Sequence, residues 1–199
     1  MILGAFEALY DRMPPKWLRK VEAAAILGVF AEAFDVKPPE TEDMRAEQVL
    51  FAFREFTAAC MEAALADRVV AEWYRARLGD SACRLGARVR RMLNVRASQA
   101  FRVTRFLYRG IGIELSGELP GAVCFGPCYF SERYTPDVCW FMAAFDEGFM
   151  RGITGCHSAD LAFSCRLTEG APCCRARFEI GNESQERPAT HSEERNADA

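Results

Sequence analysis

Histidine is scarce in this chain, with only His157 and His191 among 199 residues. His191 falls in a polar C-terminal stretch, so any histidine general base must be His157, and a Ser-His-Asp triad has little to draw on. No nucleotide-binding glycine motif and no internal repeat appear. No apolar run approaches the roughly 18 residues that a membrane span needs. The opening MILGAFEALYDRM meets Glu7 and Asp11 too soon for the apolar region of a secretory signal. A basic excess is missing too: the net charge is −3. The stretch 181–199 contributes Glu183, Glu186, Glu193, Glu194 and Asp198 against Arg187 and Arg195. The remaining body is close to neutral, so bulk attraction to nucleic acid is not indicated.

What the chain does have is apolar mass and cysteine. Half its residues are hydrophobic and its mean hydropathy is −0.09, which fits one globular domain, or one with a helical extension. Nine cysteines without a secretory signal point to a reducing, cytoplasmic setting. There they serve as small buried hydrophobes, metal ligands or nucleophiles rather than as disulfides. Seven of the nine fall between Cys124 and Phe178.

The first half reads as helical. Residues 1–12 suggest a short apolar helix or docking arm before Pro14 and Pro15. Trp17 to Phe34 is a helix with Leu18, Val21, Ala25 and Val29 inward. Thr41 to Leu78 is one helix or two, with Val49, Phe53, Phe56, Cys60 and Ala63 as its apolar stripe. Gly79 is expected as a C-cap and Asp80 or Ser81 as the start of a helix to about Val95. On it Arg84, Arg88 and Arg91 form a solvated face opposite Leu85, Val89, Met92 and Leu93. Cys60 and Cys83, lacking polar company, are packing residues. Residues 99–115 are expected to be a strand, because Val103, Thr104, Phe106 and Tyr108 favour strands while Gly110 and Gly112 break helices.

The second half changes period. Pro120 and Gly121 turn into a strand around Val123 to Phe125, and CFGPC reads as a turn holding Cys124 and Cys128 as extra ligands, a redox pair or small packing residues. Pro136 and Asp137 open a helix to residue 152 whose core face is Val138, Phe141, Met142, Phe145 and Phe149. Cys139, Ala143, Asp146 and Met150 follow an adjacent stripe. Burying the Asp146 carboxylate unpaired is costly, so it is expected to be partly exposed or paired with Arg151 or Arg133. Leu161, Phe163, Cys165 and Leu167 then alternate as a strand, Glu169 to Pro172 turn, and Cys174, Ala176, Phe178 and Ile180 alternate as its partner. That pattern places Cys165 and Cys174 on one buried face. The fold expected is α+β: a helical region 1–96, then a region 97–180 with a small antiparallel sheet packed on helix 136–152, and a disordered tail 181–199.

PDVCW on a helix, followed by a strand cysteine, a glycine turn and a closing cysteine, resembles the 4-vinyl reductase domain of small-molecule sensors and bacteriochlorophyll synthesis. FDEGFMRG followed by LTEGAPCCRARF is similar to the L-2-amino-thiazoline-4-carboxylate hydrolase family. The resemblance covers roughly residues 122–180. It implies zinc held by Cys139, Cys165 and a third cysteine, which is Cys174 when counted from the glycine turn and Cys173 when counted from Cys165. The sensors' glutamate is replaced by Ala162, leaving Asp160, His157, Cys128, the second cysteine of the pair or water as fourth ligand. The hydrolase likeness makes CYFSER, with Cys128 and Glu132, and Asp146 the candidate catalytic groups.

Two functions follow as expectations. One is a hydrolase opening a small cyclic C=N or amidine ring, with a cysteine or metal-bound hydroxide attacking and Asp146 or Glu132 moving protons. The other is a non-catalytic or accessory binding domain of the 4-vinyl reductase type, acting in tetrapyrrole synthesis or aromatic-ligand sensing, with a pocket of Tyr129, Trp140, Phe141, Phe145 and Phe149. Either way the expected partner is a small-molecule ligand or substrate, with no nucleic acid and no membrane span, and a homodimer is left open.

Overall fold

The structure is a computed structural model that describes residues 16–181. The expectations for an N-terminal arm at 1–12 and for the tail beyond 181 fall outside those residues. Helix α1 spans Lys16–Phe34, α2 Ala46–Ala64 and α3 Arg68–Leu93. The candidate long helix is thus two, divided at Leu65 to Asp67. The Asp67 carboxylate accepts from the Val69 and Val70 amides at 2.8 and 3.2 Å, a cap worth about 1 kcal/mol. On α2 the buried stripe is Val49, Phe53, Thr57, Ala58, Met61 and Ala64, with Ala63 exposed. On α1, Ile26, Leu27, Val29 and Phe30 are buried while Val21 and Ala25 face outward.

Gly79 caps nothing. It lies inside α3, which runs without a break through Asp80 and Ser81. Its role is proximity to α5, Pro136–Thr154. A Cβ on Gly148 of α5 would stand 2.1 Å from the Gly79 carbonyl oxygen, and one on Gly152 would stand 2.1 Å from that of Cys83. A Cβ on Gly86 would meet the Phe149 carbonyl oxygen at 2.3 Å. Four glycines therefore let α3 and α5 approach backbone to backbone, and the tertiary contact outweighs the helix cost of glycine, about 1 kcal/mol each.

The segment expected as a strand is mostly helix: α4 covers Ala100–Gly110. Ala100, Val103, Thr104 and Tyr108 are buried on one face while Arg102, Arg105 and Arg109 are exposed on the other. The Thr104 hydroxyl donates to the Ala100 carbonyl at 2.9 Å. Burial of that face overrides the strand preference of its β-branched and aromatic residues. The helical part therefore reaches Gly110, beyond residue 96.

Four strands follow: β1 Ile113–Gly117, β2 Gly121–Cys128, β3 Ala159–Cys165 and β4 Cys174–Ile180. They form one antiparallel sheet in the order β1-β2-β4-β3, so the α+β architecture holds. CFGPC is strand rather than turn. The β1–β2 register shifts between the Ile113–Cys128 and Leu115–Phe125 pairs, and β4 pairs with β2 only as far as Phe125, so Pro127 occupies an irregular stretch where a missing N–H is tolerated. A single apolar core joins both halves, from Ile26 through Phe53, Leu78 and Phe145 to Phe178.

Candidate functional site

Helix α5 begins at Thr135, whose side chain accepts from the Val138 amide at 3.3 Å, with Pro136 at the first turn. From there Cys139, Met142 and Asp146 recur at spacings of three and four, and so share a side of the helix. That side meets the end of the sheet around a cavity of about 50 Å³. The enclosing residues are Ile113 of β1, Phe125 and Cys128 of β2, Phe130 and Tyr134 of the following turn, Phe163 of β3, Arg166, and Cys174 of β4. One water needs roughly 10–15 Å³ by this kind of measure, so there is room for a few.

Asp146 is the chemical centre of this space. The Tyr108 hydroxyl of α4 donates to its Oδ1 at 2.7 Å. Tyr108 is held by its buried ring, 6.0 Å from Phe125 and 6.1 Å from Phe149 between centroids. Burial pushes the Asp146 carboxyl up to about 7, a shift that the Tyr108 hydrogen bond partly offsets. Burial also raises Tyr108 well above the ordinary phenol range, so it stays a donor. The expected partners are committed elsewhere. Arg151 pairs with Glu147 at 3.2 Å, and Arg133 bridges Glu55 and Glu62 of α2 at 3.0 and 2.6 Å.

Among the sequence candidates, Cys128, Cys139, Cys174 and Asp146 are brought together and Glu132 is not. The Glu132 side chain is 83% exposed, with its nearest cation, Arg54, at 3.9 Å. Burial raises the thiols inside the cavity, Cys128 to about 12 and Cys139 to about 11, and Cys174 in the same direction. They rest as neutral groups. His157 stands apart, exposed in the turn between α5 and β3, its Nδ1 3.9 Å from the sulfur of Cys83 on α3, so Cys83 does have polar company. Of the aromatic residues expected to line a pocket, Tyr129 lies under the Arg54 guanidinium at 4.8 Å and Trp140 under that of Arg75 at 4.7 Å. Phe141 is core, while Phe145 and Phe149 border a second, apolar cavity of about 70 Å³ behind Tyr108.

Cys165 does not share a face with Cys174. The β3–β4 register shifts between Phe163 and Cys165, which sets Cys165 opposite Arg175, and the Cys165 thiol donates to the Cys173 carbonyl at 3.5 Å. The bulge puts one extra residue into β3 and reverses the alternation beyond Phe163. The set Cys139, Cys165 and Cys174 is thus split across the sheet, and exchanging Cys174 for Cys173 leaves Cys139 on the other side. Among the described residues no three His, Cys, Asp or Glu side chains are grouped to hold a metal ion. The residues implied as zinc ligands do not fit that role, and no step below runs through a metal.

Two residues that sequence reasoning passed over complete the site. Tyr108 was hidden by the strand reading of α4, although Arg102, Arg105 and Arg109 recur at helical spacing. Arg166 falls on the outward phase of the expected β3 alternation, yet it lines the cavity. Its guanidinium lies over the Phe163 ring at 5.2 Å, its Nη1 meets Glu169 at 3.1 Å, and its buried Nε has no hydrogen-bond partner among the described residues. The cavity therefore offers a near-neutral carboxyl on one wall, a guanidinium on another and aromatic rings between. Comparison with protein-family models, curated proteins and solved structures finds no match for the chain.

Proposed function

We propose that the cavity around Asp146 binds a small cyclic molecule carrying a C=N or amidine group, and that the protein is a hydrolase that opens that ring. The observation that carries this reading is the Asp146 carboxyl, partly buried in the cavity wall, hydrogen-bonded by Tyr108 and poised at about 7. A carboxyl with that poise takes a proton from attacking water and returns it to a leaving ring nitrogen, the two tasks such a hydrolysis sets. The hydroxyl of water adds to the C=N carbon while its proton passes by way of Asp146 to the ring nitrogen; Asp146 then carries the proton of the new hydroxyl to the same nitrogen as the C–N bond breaks and the carbonyl forms. Cys128 has access to the same space. As a neutral thiol it attacks only if Asp146 removes its proton in the same step, so water is the simpler nucleophile.

Arg166 suits a carboxylate on the ligand, which would orient the ring nitrogen toward Asp146. The similarity of LTEGAPCCRARF to the thiazoline hydrolases supports the same substrate class. The aromatic wall of Phe125, Phe130, Tyr134 and Phe163 favours the second reading, an accessory domain of the 4-vinyl reductase type that binds an aromatic ligand without turnover. A cavity this small argues for one ring rather than a tetrapyrrole, since drug-sized ligands occupy several hundred Å³.

The test is incubation of the full chain with 2-amino-thiazoline-4-carboxylate, following ring opening by mass. Turnover in the parent that falls about 10²–10⁴-fold in Asp146→Asn supports the hydrolase. Binding without ring opening favours the accessory domain. Neither binding nor turnover removes this substrate class.

A further inference from the structure

The bulge that turns Cys165 away from the cavity gathers a second group of thiols on the opposite face of the sheet. Across that face Ser116 aligns with Cys124, Cys124 with Arg175, and Arg175 with Cys165. Cys173 occupies the bend just ahead of β4, diagonal to Cys124 and on its side of the sheet. The Cys124 thiol and the Arg175 side chain both act on the Cys173 sulfur. Both cysteines are free and only partly buried. The six cysteines of the sheet and its flanking helix thus divide between the face that carries Asp146 and the face that carries Arg175.

We infer that Cys124 and Cys173 form a reversible dithiol site that reacts with a low-molecular-weight disulfide, such as oxidised glutathione, and closes to an intrachain disulfide. The Cys173 thiolate attacks one sulfur of the small disulfide, forming a mixed disulfide and releasing one thiolate. Cys124 then loses its proton to solvent and attacks the Cys173 sulfur, releasing the second thiolate. Two protein thiols are oxidised and one small disulfide is reduced to two thiols. Cys173 goes first because the Cys124 hydrogen bond and the Arg175 guanidinium hold it below the usual thiol range, whereas Cys124 is raised by that same contact. A disulfide needs its Cα atoms about 4.4–6.8 Å apart. The register sets Cys173 diagonal to Cys124 on one face of the sheet, and Cys173 precedes the first ladder pair of β4 at Cys174, so it can close the remaining distance without breaking the sheet. The bond would tie to β2 the turn that carries Arg166 and Cys174 into the cavity.

The experiment exposes fully reduced full-length protein to oxidised glutathione, blocks remaining thiols, digests with trypsin and sequences linked peptides by tandem mass spectrometry. Cleavage after Arg109, Arg133, Arg166 and Arg175 releases 110–133, holding Cys124 and Cys128, and 167–175, holding Cys173 and Cys174. The expected product is these two peptides joined, two hydrogens lighter than their sum, with fragments assigning the bond to Cys124 and Cys173. In Cys124→Ser the reaction should stop at a glutathione adduct on Cys173, formed at least about 10-fold faster than on Cys128 or Cys174. A bond assigned to other cysteines, a bond between chains, or no bond in the parent overturns the inference. Equal modification of all the cysteines in Cys124→Ser overturns it as well.

Discussion

The Tyr108 hydroxyl and Asp146 Oδ1 are 2.7 Å apart, a contact between α4 and α5 that joins residues 38 positions apart in the chain. It gives the partly buried carboxyl a neutral donor. Removing it with Tyr108→Phe leaves Asp146 less well satisfied and should move its titration further up, because this hydrogen bond is what lowers it. The protein should lose about 1–3 kcal/mol in denaturant titration above pH 8, where the carboxylate is ionised. Any pH–rate profile should shift its acid limb upward, and an unmoved limb would detach Tyr108 from the titrating group.

Asp146 also sets a pH dependence of stability. Its folded value, about 7, lies above the ordinary 3.8, so between these values the folded state binds more protons than the unfolded state. The stabilising effect of the held proton is complete below pH 4, is lost as pH rises from about 4 to 7, and stays lost above. Asp146→Asn removes the charge but keeps an acceptor for Tyr108. It should raise stability at pH 8 by about 1–3 kcal/mol, or several degrees in melting temperature, and change little at pH 4. A variant equally destabilised at both pH values would contradict the shift.

The glycine seam between α3 and α5 makes a purely steric prediction. Gly148→Ala and Gly152→Ala each place a methyl 2.1 Å from a carbonyl oxygen of α3, and backbone cannot yield as a side chain does. Each should cost about 3 kcal/mol or more. Gly28→Ala on α1 meets nothing within 4 Å and should instead stabilise by up to about 1 kcal/mol. Thermal melts of the three variants decide the matter, and a tolerated Gly152→Ala would show the helices farther apart.

For zinc, the split of Cys139 and Cys165 across the sheet predicts far less than one metal per chain in protein prepared without chelator. Stoichiometric zinc that disappears in Cys165→Ser would contradict that arrangement of β3.

Much of this was legible in the sequence where one physical signal acts alone. Pro136 and Asp137 open α5, and the period-two runs around Leu161 and Phe178 mark the hairpin. The misreadings occur where a distant contact decides. Gly79 looks like a helix end unless Gly148 is known to press against it. Val103 and Tyr108 look like strand until the core claims one helical face. The bulge before Cys165 leaves no mark in the alternation, so the cysteine is read on the wrong side. The helical stripe marks Asp146, but charge alone points to arginine partners. Coulomb attraction was the signal available, while the buried tyrosine came from a segment assigned to another element.

The most direct test of the account is the protonation of Asp146 itself, followed by carbon-13 NMR of aspartate-labelled protein across pH 4 to 9, with Asp146→Asn identifying the resonance. The account predicts a side-chain carboxyl that titrates near pH 7 in the parent and is missing from the variant. An Asp146 carboxyl that titrates below about pH 5 would be an ordinary surface-like acid, and the cavity would then lack the proton-transfer group on which the proposed hydrolysis depends.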